Sequence, residues 1–120
     1  MKKILFLAAI VLAVGVFSSS IAQVKMLSGR WGASTITEGY TLDKNSGERS
    51  ITISINFSES FKNKPEVILG MIALDASSED NIRYRAEAVS VTRDAMTIKI
   101  STWADTQIYG ISGYWLAYGE

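Results

Sequence analysis

Ser50-Ile51-Thr52-Ile53-Ser54-Ile55-Asn56-Phe57 is the most regular stretch of the chain. Apolar residues alternate there with small polar ones. Successive side chains of a strand point to opposite faces, so a period of two gathers Ile51, Ile53, Ile55 and Phe57 on one side. β-Branched residues suit such a pleated, half-buried surface. The stretch predicts a strand with one face in a core and one in water, the habit of antiparallel sheets. Before it, Leu42-Asp43-Lys44-Asn45-Ser46-Gly47-Glu48 is a polar loop rich in turn formers. After it, Ser58 to Lys64 reads as a connection in which Phe61 tucks back onto the core.

The same period continues towards the C-terminus. Glu66 to Leu74 is almost continuously apolar, and with Pro65 in front and Gly70 inside it reads as a short strand buried on both faces. Asp75 to Asn81 is a polar turn. Ile82 to Thr92 reads as a further strand, with Ile82, Tyr84, Ala86 and Ala88 on one parity. The apolar parity then moves to Val89 and Val91, which predicts a β-bulge. Arg93-Asp94 makes a tight connection, and Met96, Ile98 and Ile100 alternate with Thr97, Lys99, Ser101 and Trp103. After a turn at Ala104-Asp105-Thr106, Ile108 to Tyr118 forms the last strand, with Tyr109, Ile111, Gly113, Trp115 and Ala117 sharing a parity. No stretch after residue 23 carries a helical period. The expectation is all-β: five or six short antiparallel strands in two packed sheets, with Trp31 plugging one end.

Residues 1–22 are set aside from that fold. Lys2 and Lys3 precede an apolar run from Ile4 to Phe17, and small residues lead to a cleavage point after Ala22. This is the layout of a secretory signal peptide. The run is shorter than the roughly 20 apolar residues of a membrane span, so no stable membrane insertion is expected after cleavage. The expectation is an exported protein, extracellular or periplasmic, with one domain over residues 23–120. That domain keeps ten basic and twelve acidic residues, with no basic excess to hold nucleic acid or an anionic bilayer. Cysteine and histidine are absent. Thiol nucleophiles, Ser-His triads and ordinary zinc sites are thereby excluded, and no metal or cofactor is expected. Carboxylate catalysis would need a converging pair held across a cleft. Asp75, Glu79 and Asp80 crowd one turn instead, and no enzyme activity is expected.

Among residues that could carry binding, Trp103 stands out, because strand parity puts it on the polar face. A wet indole invites a cover: its own loops, another subunit, or a sugar whose C–H face stacks on the ring. Arg83 and Arg85 share the outward face of one strand. Each offers a planar fork of donors that suits vicinal hydroxyls or carboxylates, and each could equally be a solvated ion-pairing residue. Asp105-Thr106 reads as a turn cap made by side chain to backbone bonds.

These elements, in order, resemble the H-type lectin family, the domain of snail agglutinins and of the C-terminal part of slime-mould discoidins. The resemblance covers Arg49 to Gly119. It rests on Ile53-Ser54-Ile55-Asn56-Phe57, Phe61, Pro65-Glu66-Val67, Leu74-Asp75, Asn81-Ile82-Arg83, Val89-Ser90-Val91, Thr102-Trp103-Ala104-Asp105-Thr106, Ile108-Tyr109 and Trp115-Leu116-Ala117. It implies a six-stranded antiparallel β-sandwich that assembles as a homotrimer. It also implies galactose-type glycans, often N-acetylgalactosamine, bound between subunits without catalysis. In that frame Arg83 donates to a ring hydroxyl, Trp103 and Tyr109 form aromatic walls, and an acid from the neighbouring subunit completes the site. Asp43 is the candidate acid, with Ser46 and Glu48 as alternatives. Ala104 departs from the snail members, which carry a histidine there. That departure motivates a rival reading, a structural or adhesive subunit of the same fold that has lost sugar binding.

Overall fold

The isoleucine stripe finds its partner residue by residue. In the computed structural model, which describes residues 23–120, Ile51, Ile53 and Ile55 of β2 (Arg49–Asn56) stand opposite Ile100, Ile98 and Met96 of β5 (Ala95–Thr102). Ile98 and Ile100 lose all contact with solvent. Burying each such side chain contributes about 1.5–3 kcal/mol. The expected signal peptide lies outside the described residues.

Four more strands complete the fold: β1 (Lys25–Ser34), β3 (Glu66–Ala76), β4 (Arg85–Val91) and β6 (Ile108–Gly119). They form two three-stranded sheets, ordered β1-β6-β3 and β2-β5-β4. Every pairing is antiparallel. The described residues form an all-β sandwich, as the periodicity implies, with the six strands that the family resemblance implies. Phe61 is buried, as expected, with its ring edge-on to Phe57 at 5.4 Å. Arg93 and Asp94 form the turn closed by the bond from Thr92 N to Ala95 O at 2.8 Å.

Three expectations need correction. Trp31 does not plug an end. It lies within β1, opposite Gly113, and its Nε1 donates to Tyr114 O at 2.9 Å. The ring occupies the space a side chain at position 113 would need. Gly29 and Trp115 repeat the arrangement one step along the same strand pair, a Cβ on Gly29 falling 2.7 Å from the indole nitrogen. Strand β1 is legible in hindsight, since Leu27, Gly29, Trp31 and Ala33 alternate with polar or outward residues. Strand β3 is not buried on both faces. It is a sheet edge, and Ile68 (48%) and Ile72 (50%) remain exposed. Its apolar run combines an outward-facing Ile68 with a bulge at Ile72, the extra residue between the pairs Met71–Gly113 and Ala73–Ser112. Strand β4 starts at Arg85, so Ile82 to Tyr84 belong to the preceding loop. The bulge expected near Val89 is present, between the pairs Ala88–Ile98 and Ser90–Thr97.

Antiparallel order brings the connections 35–48, 77–84 and 103–107 to one end of the sandwich. All the candidate binding residues lie on these connections or at the first turn into β6.

The tight fit at Gly113 leads to a testable contrast. Gly113→Ala forces the new methyl into Trp31 and the Gly70 carbonyl, and is expected to cost at least about 1–3 kcal/mol. At Gly110 a Cβ meets Ser34 at an ordinary 3.6 Å, and Gly110→Ala should stay within about 0.5 kcal/mol of the parent. Urea unfolding of the two variants checks both outcomes.

Candidate functional site

Arg49 opens strand β2 with its side chain turned into the loops, 7% exposed. A guanidinium has five N–H donors, and here five carbonyls receive them. Nε donates to Gly47 O at 2.9 Å, and Nη1 to Lys44 O at 2.8 Å and Leu42 O at 3.4 Å. Nη2 donates to Ala104 O at 3.1 Å and Thr106 O at 2.9 Å. The Gly47 N–H reaches the same Ala104 carbonyl at 2.9 Å. One side chain thus joins loop 42–48 to loop 103–107. The turns it holds use left-handed backbone at Asn45, Gly47 and Ala104. For a non-glycine residue that conformation is costly and needs support from its surroundings.

On this base sits Arg83. Its Nη1 donates to the Asp105 carboxylate at 2.9 Å, Thr106 Oγ1 at 3.2 Å and Asn81 O at 3.4 Å. Thr106 Oγ1 in turn donates to Asn81 O at 2.5 Å, and Thr102 Oγ1 to Arg83 O at 2.6 Å. Asp105 therefore differs from the expected turn cap: its carboxylate orients an arginine, while Thr106 makes the side chain to backbone bond. Among the described residues Arg83 is gripped by one nitrogen, so Nε and Nη2 retain donors for another partner. The Thr102 bond sets the Arg83 backbone next to the strand end that carries Trp103.

Trp103 is 36% exposed, as its parity predicts. Arg85 packs its guanidinium carbon 5.4 Å from the ring centroid, within cation–π range. Tyr109 was expected on the parity of Ile111 and Trp115, yet it is 43% exposed. The cause is a bulge: Asp75 pairs with Gly110 and Ala76 with Ile108, which leaves Tyr109 as the extra residue. Asp43 lies on the loop held by Arg49, and its Oδ1 is shut from solvent without a hydrogen-bond partner. Among the described residues no hydrogen bond or ion pair ties Tyr109 or Asp43 to Arg83 or Trp103. Arg83 and Trp103 are linked within one chain through the Thr102 bond to the Arg83 carbonyl, while Tyr109 and Asp43 belong to the same end without such a bond.

Sequence reasoning missed two residues here. Arg49 carries no signal of burial in its polar, turn-rich neighbourhood. Tyr40 follows a plain Glu-Gly pair, yet it is buried, with its hydroxyl donating to Ile108 O at 2.7 Å. Burial, reinforced by the negative charges of Asp43 and Asp75, pushes its phenol up to about 12.

Comparison with known proteins places this geometry. The model of the H-type lectin domain matches residues 52–118, from β2 into β6. The chain is 29% identical over 87 residues to the ATP synthase subunits region ORF 7 protein of Fuscovulum blasticum, covering 72% of this chain and 76% of that one. Recombinant discoidin II of Dictyostelium discoideum superposes with a TM-score of 0.71 at 19% identity, over 82% of this chain. The tailspike protein gp49 of Pseudomonas phage LKA1 gives 0.55, also at 19% identity, over 79%. This chain spans 38% of discoidin II and 15% of the tailspike. At such identities these two likenesses concern the fold alone.

Two outcomes follow from the loop framework. Arg49→Met leaves the buried Thr106 carbonyl unpaired, at about 1–3 kcal/mol, and removes four further charge-assisted bonds, while the Leu42 and Ala104 carbonyls keep the N–H groups of Ile108 and Gly47. It should lower stability by roughly 3 kcal/mol or more in urea unfolding, with Arg49→Lys recovering part through its three donors. For Tyr40, the folded phenol ionises at higher pH than the unfolded one, so its contribution to stability is complete below pH 10. It is lost between about 10 and about 12, where the unfolded chain releases the proton first. Stability measured against pH should fall across that window, and less steeply in Tyr40→Phe.

Proposed function

The chain belongs to the H-type lectin domain family, and on that premise we propose that it is an exported, non-catalytic lectin for galactose- or N-acetylgalactosamine-type glycans. Residues 23–120 act as the mature domain and assemble as a homotrimer. The observation that carries this reading is the state of Arg83, fixed through Nη1 by Asp105 and Thr106 with its other donors free, beside a partly exposed Trp103. A rigid donor fork next to an aromatic face suits a pyranose ring, which presents hydroxyls on its edge and C–H bonds on its face.

Tyr109 and Asp43 fit a site completed across subunits. Both lie at the loop end, and among the described residues neither is hydrogen-bonded to Arg83. A neighbouring copy is the natural supplier of a second aromatic wall and an acceptor carboxylate. Single open sites of this kind are weak, and several on one assembly gain by avidity.

Ala104 favours a second reading. Its carbonyl is taken up by Arg49 and Gly47, and its methyl offers no ring to pack on a sugar. A structural or adhesive subunit that retains the fold without sugar binding is consistent with that.

The test is a glycan array probed with residues 23–120, with titration of the hits. Binding to galactose- or N-acetylgalactosamine-terminated glycans is expected, weakened about tenfold or more in Arg83→Ala by loss of charge-assisted bonds. Trp103→Ala should weaken binding without altering the oligomer in sedimentation. Undiminished affinity in Arg83→Ala sinks the assigned roles. A blank array from a folded oligomer whose assembly is disrupted by Trp103→Ala supports the structural subunit.

A further inference from the structure

Three arginines stand at the loop end of the sandwich, and their states differ. Arg49 spends its donors on five carbonyls. Arg83 has its charge compensated by Asp105 at 2.9 Å. Arg85 has neither: among the described residues it makes no ion pair and no side-chain hydrogen bond. It is exposed, it pairs in register with Ser101, and its guanidinium leans over the Trp103 ring. The same-face acid two residues on, Glu87, stands opposite Lys99 in the neighbouring strand. The positive charge next to Trp103 is therefore uncompensated, and its donor fork is open.

The placement has two effects. Arg85 packs on one face of the partly exposed Trp103 ring, and the stacked sugar takes the other. An anionic group projecting from the rim of that sugar then meets a guanidinium that packs on the indole. Arginine matches planar or tetrahedral oxyanions through paired N–H bonds, and a fork held against an aromatic ring loses little freedom on binding.

We propose that Arg85 extends the Arg83–Trp103 site to anionic glycans, taking a carboxylate or sulfate substituent on or next to the stacked sugar. The inference rests on the lectin reading above and names the ligand class for that same site. Arg85 acts as a recognition group for the substituent, while Arg83 serves the neutral ring.

The experiment is a titration of the oligomeric protein with lactose, sialylated lactose and sulfated lactose, at low and at high salt, for the parent, Arg85→Ala and Arg85→Lys. An anionic form should bind the parent about two- to fivefold tighter than lactose, the range for an exposed charge pair. That margin should shrink at high salt, vanish in Arg85→Ala and persist in part in Arg85→Lys, while lactose binding survives in all three. A gain with the sialylated form alone assigns a carboxylate, and a gain with both assigns charge in general. Equal affinity of the parent for all three sugars overturns the proposal. So does a loss in Arg85→Ala that falls equally on lactose, because Arg85 would then only support Trp103. Binding of none of the sugars by a folded oligomer overturns the lectin reading together with this one.

Discussion

The loop end of this protein depends on one guanidinium. Carbonyl groups in turns face inward without the ladder partners that a strand supplies, and an unsatisfied buried acceptor costs as much as a typical hydrogen bond gains. Arg49 resolves this for two loops at once. Because it is always charged and carries donors in a fixed fork, it imposes direction on each carbonyl it meets. The chain has no cysteine to cross-link these loops, so their relative position is set by this polar contact and by the strands beneath. Arg83, Asp105 and Thr106 build outward from a segment whose own backbone Arg49 holds, and any ligand that meets Arg83 is meeting the far side of that framework.

Where sequence and structure agree, a single periodicity is responsible. The alternation from Ile51 to Phe57 and from Met96 to Ile100 survives into paired, buried strands because a shift of one residue would turn every isoleucine outward. The parity change at Val89 survives for the same reason, as an extra residue has to leave the ladder. Disagreement arises where two effects produce the same letters. An apolar run such as Glu66 to Leu74 reads equally as a strand covered on both faces or as a bulged edge strand, and which one holds depends on neighbours far along the chain. Tyr109 was misplaced by the same ambiguity, since a bulge next to the 103–107 turn reverses the facing of one residue.

The candidate site was legible to the extent that its residues break a pattern. Trp103 on a polar parity and two arginines alternating on one face are conspicuous. Asp105 was visible as a turn residue, but not as the partner that fixes Arg83, because that contact joins loops 22 positions apart. Arg49 and Tyr40 were invisible: the polar atoms that bury them are backbone carbonyls, which every residue has and no sequence spells out. Asp43 was reached through family resemblance alone, and what its sequence context does not disclose is that one of its oxygens faces inward near a buried phenol.

The bulges at Ile72 and Val89 have a bearing on how such a domain behaves among other chains. They occur on β3 and β4, edge strands of the two sheets that touch one another along one flank of the sandwich. A flat edge is a template on which foreign chains can zip up without limit. An extra residue in each edge breaks the even spacing of amide and carbonyl groups and twists the strand. A neighbour arriving on that flank finds side chains instead of a backbone to copy, so contact there can end in a finite, closed arrangement and not in a fibre.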